Sequence, residues 1–111
     1  MSTYSEKAKN VFGFLHKLSD ENPKVADAFM KLHNSGLEDG ALSHKQKELM
    51  CLSISIVIRC EGCIACHVQG SIKQGATKQE IIETIGVAVV MGGGPSIAYG
   101  EKAYEALKEM M

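Results

Sequence analysis

Residues 42–67 read LSHKQKELMCLSISIVIRCEGCIACH, and this stretch decides which fold the chain adopts. Ser43, followed three residues later by Gln46, is typical of a capping box and predicts a helix that begins here and reaches about Ile58. The second half of that helix, LSISIVI, alternates apolar residues with serine and by local pattern alone would also suit a strand. We expect a helix, because no other segment offers a partner strand and an isolated strand would leave its backbone groups unpaired.

Breaker residues and capping patterns divide the whole chain into helical segments. The predicted helices cover Tyr4 to Leu18, Pro23 to about Gly36, Ser43 to Ile58, about Cys60 to near Gly75, Thr77 to Gly92, and Pro95 to Leu107. At 111 residues, the chain is long enough for one hydrophobic core and too short for two. We therefore predict an all-α fold of about six helices in a single domain over residues 1–111.

The apolar residues indicate how these helices pack. Only 5% of the residues are aromatic and tryptophan is absent, which predicts a core of Ile, Val, Leu, Ala and Met. Two segments, Met50–Ile58 and Ile85–Met91, are apolar around much of the helix circumference. We expect a homo-oligomer, because a chain of this size has little interior in which to bury such helices on all sides.

Charge and hydropathy argue against two classes of partner. The chain has 12 Lys and Arg residues against 13 Asp and Glu residues, Arg59 is the only arginine, and no basic stripe is present. We therefore expect no nucleic-acid partner. No apolar run approaches the ~20 residues that a membrane helix needs, and the N-terminal decapeptide lacks the apolar stretch of a signal peptide. We therefore expect no membrane partner and a cytoplasmic protein, in which four cysteines indicate redox chemistry or metal binding.

The octapeptide CEGCIACH at residues 60–67 carries the candidate chemistry. Cys60, Cys63 and His67 are spaced by three and four residues, which places them along one stripe if the segment is helical. Cys60 would lie at the helix entrance, where the positive end of the helix dipole and unpaired backbone N–H groups favour a thiolate. His67, one turn after Cys63, could accept a thiol proton and return it near neutral pH.

Glu48 is the predicted third member of this site. If the chain turns back between Ile58 and Glu61, Glu48 lies roughly ten residues before the bend and His67 about seven after it. At ~1.5 Å of rise per helical residue, these two depths differ by only about one turn. A carboxylate at that place would orient the imidazole and raise its basicity.

The order Glu48, eleven residues, Cys60, two residues, Cys63, three residues, His67 resembles the AhpD-like alkylhydroperoxidases, within the wider carboxymuconolactone decarboxylase family. The resemblance extends from about Leu42 to Val90. It implies an all-α protein that forms trimers or hexamers and uses its CxxC pair to reduce a hydroperoxide or disulfide substrate, or to pass electrons to a redox protein partner. We expect no cofactor and no metal.

The resemblance also implies a role for each residue of the pattern. Cys63 would attack the peroxide and pass through a sulfenic acid, and Cys60 would be the more exposed partner that resolves it as a disulfide. His67 and Glu48 would form the proton relay. The decarboxylase branch of the family acts on a lactone without a redox cysteine pair, and the intact pair here therefore points away from decarboxylation.

Two positions depart from the family pattern. Gly62 stands before the second cysteine, where relatives often have an aromatic residue, and would leave the pocket wall less filled. Cys66 is an additional thiol, which helical spacing places to one side of the reactive stripe. It is either a buried apolar filler or a third sulfur that competes for the disulfide.

Two alternative functions remain open at this point. In a lactone decarboxylase, His67 and Glu48 would do acid–base work beside spectator cysteines. In a metal-binding or structural oligomer, Cys60, Cys63, Cys66 and His67 would be the ligands, although four ligands within eight residues of one helix are cramped for a tetrahedral zinc site. Cys51 is interpreted as a core residue, and its spacing of three residues from Glu48 leaves a secondary redox role open. His16, His33 and His44 are interpreted as surface or cap residues without spaced partners.

Overall fold

The computed structural model of the protein describes residues 3–111, and the first two residues of the predicted domain lie outside this part. It contains six α-helices, and no strand occurs between residues 3 and 111. The helices are α1 (Tyr4–Glu21), α2 (Pro23–Leu37), α3 (His44–Val57), α4 (Glu61–Lys73), α5 (Lys78–Gly92) and α6 (Gly94–Met110). The all-α prediction is confirmed, including the helical state of the LSISIVI segment, which forms the end of α3.

Capping boxes fix the starts of α3 and α5, and the one at Ser43 confirms the prediction. The backbone N–H of Gln46 donates to Ser43 Oγ at 3.1 Å, and the backbone N–H of Ser43 donates to the Gln46 side chain at 2.8 Å. Thr77 and Glu80 make the same reciprocal pair. A cap of this kind stabilises a helix by about 1 kcal/mol, because it satisfies backbone donors that the first turn leaves free.

The hydrophobic core is formed by α3, α4, α5 and α6, and α1 packs along α4 from outside it. Its buried side chains are aliphatic, as the composition predicts: Leu52, Ile56, Ile64, Val68, Ala76, Ile81, Ala88, Ala103, Ala106 and Leu107. Burying one of the larger of these side chains stabilises the fold by about 1.5–3 kcal/mol. The second helix, α2, packs against α1 and touches α3, and a gap remains between α2 and α4.

A tight bend between α3 and α4 positions the candidate site. Arg59 adopts φ 60°, a left-handed conformation that is uncommon for a non-glycine residue. The backbone N–H groups of Arg59 and Cys60 donate to the carbonyls of Ile56 and Ser55 at 3.1 and 3.0 Å, which closes the end of α3. Because the chain folds back directly after α3, α4 packs beside it.

Large apolar side chains are exposed where α3 ends, where α5 ends and where α6 begins. Val90 and Met91 are the most exposed of them, at 81% and 78%. We call this set the α3–α5–α6 apolar surface; its members are Ile54, Val57, Ile58, Val87, Val90, Met91 and Ile97. Among residues 3–111, no helix has both the length and the hydropathy needed to cross a membrane.

Candidate active site

Cys60 and Cys63 form a disulfide at the start of α4, with their Cα atoms 5.2 Å apart. Cys60 is the N-cap of the helix, and the backbone N–H of Cys63 donates to its sulfur at 3.2 Å. The CxxC pair therefore begins a central helix, as the sequence predicts. Both residues are partly buried, and the greater exposure of Cys60 stays a prediction.

Glu48 and His67 contact each other across the α3–α4 packing. His67 Nδ1 lies 2.7 Å from Glu48 Oε1, and the Glu48 side chain is only 8% exposed. Burial raises the pKa of Glu48, but hydrogen bonds and charge from His67 and His44 outweigh it and hold this pKa below its usual value. An ionised carboxylate only accepts hydrogen bonds. The His67 Nδ1 therefore carries the hydrogen, and a neutral ring keeps its lone pair on Nε2.

The second oxygen of Glu48 binds another histidine. His44 Nε2 lies 3.0 Å from Glu48 Oε2, and His44 precedes Glu48 by one helical turn. The interpretation of His44 as a residue without a spaced partner is therefore wrong. The signal was present in the sequence, because a spacing of four residues on a helix places two side chains on the same face.

His33 also belongs to the surroundings of this pair, and its interpretation as a surface residue is wrong. Its ring lies 6.4 Å from that of His67 at an interplanar angle of 21°, with Phe29 packed 5.9 Å away on the same helix. Its Nδ1 is buried, and no hydrogen-bond partner occurs for it within the part of the chain described. His16, by contrast, is exposed, as the sequence predicts.

Gly70 lets α4 approach the Glu48 carboxylate. A Cβ at this position would lie 2.7 Å from Glu48 Cδ, which is closer than real Cβ contacts. A glycine in a helix interior costs roughly 0.5–1 kcal/mol relative to alanine. The sequence signal for this contact was therefore an interior glycine one turn after His67, which indicates a close approach without naming the partner.

Cys51 and Cys66 are free thiols. Burial raises the pKa of each thiol, and the negative charge of Glu48 raises both further. Cys66 lines the same cavity as the disulfide, whereas Cys51 does not. Cys51 is partly buried on α3 and is not among the buried residues of the core, so its interpretation as a core residue is wrong.

A cavity of about 680 Å³ opens beside the disulfide. One wall carries the Cys60–Cys63 pair, Cys66, His67 and Glu48. The opposite wall is apolar and comes from α1 and α2: Val11, Phe12, Leu15, Phe29 and Met30.

The expectation that Gly62 leaves the pocket wall less filled needs correction. Val11 of α1 packs so closely that a Cβ on Gly62 would lie 3.1 Å from Val11 Cγ2.

The four proposed metal ligands do not form a metal site in this structure. Two of them, Cys60 and Cys63, are joined in the disulfide. Within residues 3–111, no group of three or more His, Cys, Asp or Glu side chains is arranged to hold a metal ion.

Comparison with known proteins shows the family to which this fold belongs. The model of the carboxymuconolactone decarboxylase family matches residues 23–108, a range that includes Cys60, Cys63, His67 and Glu48. An uncharacterized protein of the cox locus of Paracoccus denitrificans is 35% identical over 96 residues, which are 86% of each chain. The chain therefore belongs to the carboxymuconolactone decarboxylase family.

Solved structures of this family share the fold. A family member from Legionella pneumophila has a TM-score of 0.92 at 39% identity, over 96% of both chains. A member from Thermotoga maritima, described as a candidate participant in the antioxidative response, has a TM-score of 0.84 at 31% identity. That match covers 94% of this chain and 89% of the other.

Proposed function

We propose that this protein is a thiol-dependent oxidoreductase that reduces hydroperoxides through Cys60 and Cys63. One observation carries the proposal: the Cys60–Cys63 disulfide and the Glu48–His67 hydrogen bond line the same cavity. Reduction of an O–O bond requires two electrons and a proton donor. A reversible cysteine pair supplies the electrons, and an imidazole oriented by a carboxylate supplies the proton.

The first step oxidises Cys63. In the reduced protein, His67 accepts the thiol proton of Cys63, one helical turn away, and Glu48 stabilises the resulting imidazolium. The thiolate attacks the terminal oxygen of the hydroperoxide, an S–O bond forms and the O–O bond breaks. The leaving alkoxide takes the proton from His67. The products are an alcohol and the sulfenic acid of Cys63.

The second step forms the disulfide. The Cys60 sulfur lies at the N-terminus of α4, where the Cys63 N–H donates to it, and this position favours a thiolate. Attack of that thiolate on the Cys63 sulfenic sulfur forms the S–S bond and releases hydroxide, which a proton converts to water. A dithiol or a redox protein partner then regenerates both thiols by exchange and is itself oxidised to a disulfide.

The cavity favours an organic hydroperoxide. Its volume of about 680 Å³ and its apolar wall suit an apolar group attached to the O–O bond, whereas hydrogen peroxide offers nothing for that wall to bind. Lys73, Gln69 and Gln74 add polar groups to the lining.

A second copy of the chain is the proposed cover of the α3–α5–α6 apolar surface. Side chains as exposed as Val90 and Met91, in a group of seven, are unusual on a monomer. Light scattering should therefore give a mass several times the 12.0 kDa of one chain. We place this assembly in the cytoplasm, since a reducing compartment returns a CxxC pair to its thiol state.

Hydroperoxide consumption in the presence of a dithiol tests the proposal. We expect wild-type turnover with cumene hydroperoxide, no turnover with Cys63→Ser or Cys60→Ser, and unchanged turnover with Cys51→Ser, a thiol that does not line the cavity. Decarboxylation of a carboxylated lactone by both active-site serine variants, without peroxide turnover by the wild type, would contradict the proposal. Turnover of a small disulfide in place of a hydroperoxide would correct the substrate class and leave the cysteine roles intact.

A further inference from the structure

The carboxylate of Glu48 is held at both of its oxygens by histidines from different parts of the chain. His67 on α4 binds Oε1 at 2.7 Å, and His44 in the first turn of α3 binds Oε2 at 3.0 Å. The proposed hydroperoxide reduction uses only the first of these contacts. The second has no role in the steps above.

We propose that His44 is a positioning residue that holds Glu48 in the rotation needed to orient His67. The terminal torsion of a glutamate side chain is soft and roughly two-fold, because it joins an sp³ to an sp² carbon. A hydrogen bond to one oxygen alone leaves this rotation free to take that oxygen away from its partner. A second hydrogen bond to the other oxygen fixes the plane of the carboxylate.

His44 is itself fixed well enough to perform this role. Its backbone N–H donates to Asp39 Oδ1 at 2.8 Å, and it directly follows the Ser43 cap of α3. One turn of helix separates it from Glu48, which limits the geometries that the pair can adopt. Gly70 packs on a third side of the Glu48 carboxylate, because the backbone of α4 lies against the carboxylate there.

The electrostatics support the same role. Burial alone raises the pKa of Glu48, and hydrogen bonds and charge from both histidines bring it below its usual value. Removal of His44 should therefore raise the pKa of Glu48 and weaken its hold on His67. The titratable groups around this carboxylate come from three helices: Cys51 and His44 on α3, Cys66 and His67 on α4, and His33 on α2.

The inference rests on the proposed function. The experiment therefore measures thiol reactivity without a peroxide, so that a failure of the His44 role can be told from a failure of hydroperoxide reduction. The reduced protein is alkylated with iodoacetamide across a pH series, and modification of Cys60 and Cys63 is followed by fragment mass spectrometry, which distinguishes them from Cys66 in the same peptide. His44→Ala should slow this modification at neutral pH on the order of tenfold, a modest cost for displacing a reacting group. A change in the pH profile should accompany it, together with a higher Glu48 pKa measured by carboxyl-carbon NMR.

Two variants separate positioning from mere structural support. His44→Gln keeps an N–H donor within reach of the residue one turn later and should restore most of the rate and the low Glu48 pKa. His16→Ala, an exposed histidine on α1, should match the wild type. Wild-type rates and pH profile in His44→Ala would overturn the inference, as would equal losses in His44→Ala and His44→Gln. A wild-type protein that fails to consume hydroperoxide would overturn the proposed function alone.

Discussion

His67 and Glu48 stand 19 positions apart in the chain, and their side chains meet at 2.7 Å across two packed helices. The bend at Arg59 brings them together, since it folds α4 back onto α3. The contact explains how a partly buried imidazole beside a cysteine pair is held in one tautomer with its second nitrogen available to accept a proton.

Replacement of His67 tests its role as general base. His67→Ala should slow hydroperoxide turnover by a factor on the order of 10²–10⁴, which is the usual contribution of proton transfer by a positioned side chain to the rate. Added imidazole should recover part of the lost rate, because it can enter the cavity and accept the thiol proton. Unchanged kinetics would remove His67 from the mechanism.

The Glu48 carboxylate should make stability depend on pH in acid. Its pKa in the folded protein lies below the usual 4.5, so its stabilising contribution is complete above about 4.5 and is lost as the pH falls through the folded value. The difference in unfolding free energy between wild type and Glu48→Gln should therefore shrink below about pH 4.5, as measured by urea denaturation across a pH series. Glu83→Gln removes an exposed carboxylate on α5 and should not reproduce this change. A difference that stays constant down to about pH 3 would contradict the account.

The interior glycine of α4 offers a packing test with a matched control. Gly70→Ala should reduce turnover and destabilise the protein by about 1–3 kcal/mol, because the new methyl group collides with the Glu48 carboxylate. Gly86→Ala, in the interior of α5 with open space around its Cα, should instead stabilise by about 0.4–1 kcal/mol. Thermal denaturation distinguishes the two, and equal effects would mean that the close approach at Gly70 is absent.

The two free thiols should react slowly. Burial, followed by the charge of Glu48, raises the pKa of both Cys66 and Cys51, which keeps them protonated near neutral pH. In the reduced protein, iodoacetamide should therefore label Cys60 and Cys63 before either of them, as fragment mass spectrometry of the shared peptide can show. Cys66→Ser should leave hydroperoxide turnover unchanged. Rapid labelling of Cys66, or loss of turnover in that variant, would instead make Cys66 the third sulfur of the redox site.

Local sequence rules predicted the helices and the bend. Capping boxes, breakers and apolar spacing act over a few residues, and the observed helix ends lie within a few positions of the predicted ones. The Glu48–His67 contact was predictable for a related reason, because a short bend between two helices fixes which turns face each other.

The rest of the site depends on tertiary packing. The spacing of His44 and Glu48 was visible in the sequence. Only the packing of α3 on α4 shows that this face of α3 also meets His67. His33 is on α2, and nothing local indicates that α2 brings its ring over His67. Gly62 alone did not reveal that Val11, from a distant helix, would fill the space beside it.

Peptide mass spectrometry can follow the two electrons that Cys60 and Cys63 are proposed to deliver to a hydroperoxide. The fully reduced protein is treated with one equivalent of cumene hydroperoxide, alkylated and digested. We expect one equivalent of cumyl alcohol and a loss of two hydrogens between Cys60 and Cys63, which stay unalkylated, whereas Cys66 in the same peptide and Cys51 are alkylated. An unconsumed hydroperoxide, with all four cysteines recovered as alkylated thiols, would contradict the proposal.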